Sequence, residues 1–490
     1  MRIVGNNPQL SRQTQATASG AITGGKPVIV NTDGTVTEIA GSATSVGTSV
    51  VFETGVTEAL GIAATFDSNS NRIVIAYQDG GNSDYGTAIV GTIDSSDNSI
   101  SFGTAVVYHS ANSNYNTASF DSNSNKVVIA FTAPADGTGK SYVGTVDPSD
   151  NSISFGSAVN FQAGARASHV SSAFDSNSNK VAIFYEDNGN SNYGTGIVGT
   201  VSGTSISYGS EAVFESAQVS AISATFDSSN NKVVIAYRDH GNSNYGTAVI
   251  GTISSTSISF GTPVVFESAT TTGCSATFDT NSNKVFIAYD DHGATTQNAI
   301  IGTVSGTSIS FGTAVAYETG VSTGNLLATG FDSSTNKVVV GYGDAGDSNK
   351  GKISVGSISG TSVSFETPVE FDAGATVPGY CEIPFDSSTN RLLLPYKDNN
   401  NSQYGTGIVI QTSATNLTSS ENFIGFAEDT VATGQPVTIN TKGAIDENQS
   451  SLTPAQQYFV QTDGTLGTSA DDPSVVAGTA VTATKLIVKG

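Results

Sequence analysis

"SATFDSSNNKVVIAYRDHGNSNYGTAVIGTISSTSISFGTPVVFES" (Ser223–Ser268) contains four stretches of strand character divided by turns. The first ends in "ATFD", and the turn "SSNN" leads to "KVVIAY". The loop "RDHGNSNYG" precedes "TAVIGTI", and a Ser/Thr-rich turn precedes "ISFGTPVVFE". "KVVIAY" is almost continuously apolar, as a strand covered on both faces should be. The third and fourth stretches alternate more, which suits the outer half of a sheet.

The same unit recurs along the chain. Its Phe-Asp marker stands at Phe66, Phe120, Phe174, Phe226, Phe278, Phe331 and Phe385, at intervals of 54, 54, 52, 52, 53 and 54 residues. Seven copies of four antiparallel strands predict an all-β fold, a seven-bladed β-propeller. The seventh copy stops after "YGTGIVIQT" and lacks a fourth strand, whereas "VGTSVVFETG" (Val46–Gly55) precedes the first marker and matches that strand. The N-terminal strand is therefore expected to close blade seven, which removes open sheet edges. One blade cannot bury its own faces, and a ring of seven can.

The propeller is assigned to residues 42–413, with residues 1–41 and 421–490 outside it. These flanks resemble each other: "GGKPVIVNTDGTVTE" (Gly24–Glu38) beside "TGQPVTINTKGAIDE" (Thr433–Glu447). Each reads as strand, Asn-Thr-x-Gly turn and strand, so both ends are expected to build one small split β module.

Composition narrows the function. Of 490 residues only 12% are charged, and the net charge is −23. No Lys/Arg cluster offsets that charge, so a nucleic-acid partner is not expected. No apolar run is long enough for a bilayer and no secretory leader is seen, so neither membrane insertion nor the usual secretory route is expected. Cys274 and Cys381 occupy one repeat position in the fifth and seventh copies, four residues before Phe278 and Phe385. Blades two apart should hold them beyond the ~7 Å Cα limit for a disulfide, so both are expected as small buried apolar side chains.

The terminal segments "GKPVIVNTDGTV", "NFIGFAEDTVATGQPVTI", "LTPAQQYFVQTDGTLGT" and "AGTAVTATKLIVKG" resemble terminal modules of tailed-phage virion proteins of the marine and cyanophage type. The repeat is similar to propeller repeats of such structural, tail-fibre and head-appendage proteins. The resemblance implies a virion location after release by lysis, other virion proteins as partners, and attachment or homo-oligomerisation through the terminal module.

Strand order places the 4→1 and 2→3 loops on one face. An acid ends strand four in most blades (Glu53, Glu215, Glu267, Glu318, Asp372), with His109 and Gln162 in the other two positions. Strand two is followed by Asp79, Asp187, Asp239, Asp291, Asp344 and Asp398. The 2→3 loops bring Asn82, Asn190 and Asn242 with Tyr85, Tyr193, Tyr245 and Tyr404. Asn and Tyr in repeated shallow loops suit sugar hydroxyls or a protein surface. The alternative is that the Asn-containing turns shape the hairpin while the tyrosines pack between blades.

Asp67, Asn69 and Asn71 of "DSNSN" offer oxygens at alternate positions, as in the first half of a calcium loop. The glycine and distant glutamate of that loop are missing, and Asp and Asn favour tight turns by bonding their own backbone. No cofactor besides calcium is suggested. His109, His169, His240 and His292 fall at unrelated repeat positions, and neither a nucleophile elbow nor a His/Cys pairing is seen. The expected function is thus a non-enzymatic virion structural or appendage protein that binds a host-surface glycan or protein, or a neighbouring virion protein. The alternatives are a secreted bacterial propeller lectin and, less supported, a glycan-cleaving propeller.

Overall fold

The computed structural model describes residues 12–58, 61–319, 327–376, 382–417, 419–470 and 473–489. Two compact units emerge, one spanning Thr44–Thr412, the other combining the chain up to Ala43 with that from Ser413 onward.

The larger unit is a β-propeller of antiparallel sheets taken in chain order, those of the third, fourth and fifth repeats being joined into one 13-stranded sheet by strands they share. The fourth shows how each is built. Its innermost strand is the second half of Ala212–Asp227, which pairs with Lys232–Asp239, and that strand pairs with Tyr245–Ser254. The outer strand comes in two pieces, Ser257–Phe260 and the start of Val264–Asp279, both paired with Tyr245–Ser254. The single stretch read from sequence is therefore broken at Gly261–Pro263. A Cβ at Gly261 would lie 1.8 Å from the Thr307 carbonyl oxygen of the next sheet, so the strand dips there to let two backbones meet.

Ala212–Asp227 and Val264–Asp279 each run without interruption from the outer edge of one sheet to the inner edge of the next. The second strands fill the space between sheets. Val233, Val234, Ile235, Ala236 and Tyr237 are all fully buried. Such burial contributes about 1.5–3 kcal/mol per large apolar side chain, and both faces must be covered to obtain it.

The ring closes as expected. Tyr404–Gln411 pairs with Val50–Val56 and Ser45–Val46, with Gly405 opposite Glu53 and Ile410 opposite Val46. Ile73, Ile75 and Tyr77 of the first sheet share one apolar cluster with Leu393 and Val409 of the seventh. The Arg391 guanidinium of sheet seven donates to Asn98 of sheet one (2.5 Å), repeating the Arg72–Asn151 bond between sheets one and two (2.6 Å).

The smaller unit has two five-stranded sheets. In the first, Gln13–Thr17, Pro436–Asn440, Phe423–Ala427, Pro27–Val30 and Val36–Glu38 lie side by side, so strands from both ends of the chain interleave. The turn at Gly34 makes a hairpin, with Val28 opposite Glu38. The matching turn at Gly443 does not: Pro436–Asn440 stays in this sheet while Ile445–Asp446 joins the second. Both glycines are left-handed (φ 82° and 87°), which accounts for the shared motif despite the different pairing. Phe423 and Phe426 meet Tyr458, Val460 and Leu486 in the core between the two sheets.

Candidate binding face

The loop face gathers the binding-face candidates read from the sequence, and the structure separates them into two groups. The strand-four acids form ties between sheets. Glu53 accepts from the Tyr77 hydroxyl (3.0 Å), Glu215 from Tyr237 (3.1 Å), Glu267 from Tyr289 (2.9 Å), Glu318 from Tyr342 (3.1 Å) and Asp372 from Tyr396 (2.9 Å). Each tyrosine belongs to the sheet after its acid and is fully buried. Burial, then the adjacent carboxylate, raises the Tyr237 phenol, so it remains a donor. Burial, followed by the negative charge of Asp239, raises the Glu215 carboxyl.

The exceptions fit the same account. Where sheet one ends in His109 instead of an acid, sheet two has Phe131 instead of tyrosine, and the two rings lie 5.0 Å apart. Where sheet two ends in Gln162, Tyr185 donates to Glu211 instead (2.9 Å). Where the usual acid is missing, the hydroxyl is either absent or finds another carboxylate, as burial of a hydroxyl requires.

Five of the six aspartates after strand two cap the following turn, whereas Asp79 makes no such side-chain bond. Asp187 accepts from the Gly189 amide, Asp239 from Asn242, Asp291 from Gly293 and Ala294, Asp344 from Gly346 and Asp347, and Asp398 from Asn400 and Asn401. The next turn residues are left-handed, including Ser191, Asn192, Ser243 and Asn244, which explains the recurring Asn-Ser-Asn.

A second group is left unengaged. Tyr85, Tyr193, Tyr245 and Tyr404 are half-buried, and none of their hydroxyls is hydrogen-bonded within the described residues. Asn82, Asn190 and Asn242 are exposed, with side-chain amides equally unbonded. Sheets two, five and six carry Thr138, Thr296 and Lys350 at the tyrosine position, so the set is not sevenfold.

Sheets three and four supply the most varied chemistry. Arg238 donates from Nε to the Asn244 amide oxygen (3.2 Å), and Ser220 bonds His240 Nε2 (2.8 Å). Gln218 donates to the buried Glu186 (3.0 Å), whose other oxygen is 4.0 Å from His169 Nε2. His169 lies 4.8 Å from the ring of Tyr115. Burial, then the positive charges of His240 and Arg238, lowers the His169 imidazole to about 4, so it is neutral at physiological pH. Tyr115 and His169 sit on inner-strand bulges with φ of 52° and 51°, a left-handed conformation unusual for large side chains.

Sequence reasoning did not find this cluster. It placed His169 and His240 at unrelated repeat positions, yet adjacent sheets bring them together. A signal was present in the triplet that ends strand two. Its first and last residues repeat as Tyr and Asp in all sheets but the second, while its middle residue is Gln78, Thr132, Glu186, Arg238, Asp290, Gly343 or Lys397. Of these only Arg238 and Lys397 are not buried.

The "DSNSN" turn lies on the opposite face. Asp67 is buried, and its Oδ1 accepts from the Asn69 (2.9 Å) and Ser70 (3.1 Å) amides. Asn71 is left-handed at φ 54°, as are its six counterparts from Asn125 to Asn390. No group of three or more His, Cys, Asp or Glu residues poised for a metal is found among the described residues. Cys274 is fully buried, and burial pushes its thiol up; Cys381 lies outside the described residues. No helix among the described residues is long and apolar enough to cross a membrane.

No family model and no curated protein matches the chain. Among solved structures it is similar to AofleA from Arthrobotrys oligospora, at 9% identity and a TM-score of 0.40, over 71% of this chain and 97% of that one. It is also similar to Saccharomyces cerevisiae Sqt1, at 12% identity and a TM-score of 0.43, over 74% of this chain and 88% of that one.

Proposed function

We propose that this chain is a non-enzymatic structural or appendage protein of a tailed-phage virion, on tail fibre or head. Its propeller presents the loop face to a host-surface glycan or protein, or to a neighbouring virion protein, and the terminal unit anchors it. One observation carries the binding role. On a face where most of the repeated carboxylates are committed to ties and turn caps, the loop tyrosines and asparagines reach solvent with their polar groups unspent. Polar groups held on a rigid scaffold at little ordering cost are what a recognition surface needs. The virion part rests on the resemblance of the terminal segments.

The same groups favour a second reading, a glycan-binding propeller that acts without a particle, since amide and phenol groups in shallow loops match sugar hydroxyls. The test compares adsorption of the full chain to producing cells and to isolated particles, before and after Tyr193→Phe, Tyr245→Phe, Asn190→Ala and Asn242→Ala are combined. Adsorption weakened by about tenfold or more, with an unchanged melting temperature, is expected. Equal adsorption by both forms removes this face from the binding role.

A further inference from the structure

The inner strands line an open recess of about 450 Å³ at the axis of the ring, on the side of the Phe-Asp turns and away from the loop face. Phe66, Phe120, Phe174, Phe226, Phe278 and Phe385 line it, together with small Ser and Thr residues. A single charged residue is among the described lining, Glu382.

Glu382 breaks the repeat. Three residues before the marker phenylalanine the other copies have Ala63, Thr117, Ser171, Ser223, Ser275 and Ala328. It joins the inner wall through a bridge to Thr329 and the Ile383 amide bond to the Thr329 carbonyl. Among the described residues its carboxylate has neither a hydrogen-bond nor an ion-pair partner. Water reaches it through the recess while protein surrounds it, and that enclosure pushes its carboxyl up to about 7.

We infer that this axial recess is a binding site for an organic cation, an ammonium group on a slender apolar stem, with Glu382 as its counter-ion. A carboxylate without a counter-ion, held beside phenylalanine side chains in a recess that water enters, attracts a compensating positive charge. One carboxylate with a few hydroxyls is a poor set for calcium, which takes six to eight oxygens. Aromatic residues around a single negative charge suit an alkylammonium, and the volume falls within the range of small-molecule sites. The ammonium has two possible sources, a free small amine or a lysine side chain of a partner protein inserted along the axis.

The full chain is titrated calorimetrically with n-butylammonium, with Nα-acetyl-lysine amide and with neutral n-butanol, at about pH 5.5 and about pH 8.5. Saturable binding of n-butylammonium is expected, stronger at the higher pH because the carboxylate must be ionised, with n-butanol at least about tenfold weaker. Glu382→Gln should abolish the pH dependence and weaken butylammonium by about tenfold or more, whereas Glu382→Asp should retain part of both. Binding of the lysine derivative as well points to a protein partner, and its exclusion points to a free amine; either sustains the site. The inference is overturned if wild-type chain does not bind butylammonium, if n-butanol binds equally, or if binding is independent of pH. Because wild-type measurements alone decide those outcomes, misfolding of a variant would not shield the proposal.

Discussion

Tyr237 and Glu215 show what one repeated residue does for this molecule. The hydroxyl is buried between two sheets and its single acceptor belongs to the sheet before it. Tyr237→Phe should cost about 1–2 kcal/mol, since a charge-assisted bond is lost while the half-exposed Glu215 can recover some hydration. Equilibrium denaturation measures this, and a cycle with Glu215→Gln should show coupling between the two positions. Independent, additive effects would mean that the tie contributes nothing. The sequence displayed these acids as a series on the loop face, but the same spacing fits ligand and brace equally well. Only the paired change of His109 with Phe131 distinguishes them, and it links residues from two different copies. The unbonded loop hydroxyls were visible as Tyr85, Tyr193, Tyr245 and Tyr404, but their freedom was not.

Among elements, Val50–Val56 bears most on the integrity of the ring, because it supplies the outer strand of the seventh sheet from the opposite end of the chain. Phe52 lies 5.2 Å from Tyr77 and 5.8 Å from Phe102, and Gly405 faces its ring so closely that a Cβ there would come within 2.5 Å. Phe52→Ala should cost about 3–5 kcal/mol, and Gly405→Ala about 1–3 kcal/mol by overpacking the same contact. Both losses should appear in thermal melts, with proteolytic cleavage near residue 44 rising first. Melting temperatures equal to wild type would show that the latch does not hold the ring. This closure was legible because a missing fourth strand and a surplus one are both sequence facts. The break at Gly261–Pro263 was not, since its cause is the Thr307 backbone of the next sheet. Nor could "NTKG" reveal that its flanking strands enter different sheets, because a left-handed glycine serves a hairpin and a crossing turn alike.

For the whole molecule, sevenfold repetition builds the scaffold, and departures from it mark where chemistry differs. Arg238, His240 and Glu186 set sheets three and four apart on one face, while Glu382 sets the axial recess apart on the other. The low content of charged residues and the net charge of −23 disfavour contact with polyanions. Repetition was plain in the sequence, but the meaning of its exceptions depended on which residues the ring brings together. The central claim, a particle-borne propeller that recognises a partner, is tested most directly by immunogold electron microscopy of lysates from producing cells, with antibody against the propeller. Gold at one fixed position on phage particles is predicted, and that position distinguishes tail fibre from head decoration. Gold confined to cell surfaces or soluble material, with particles bare, would contradict it.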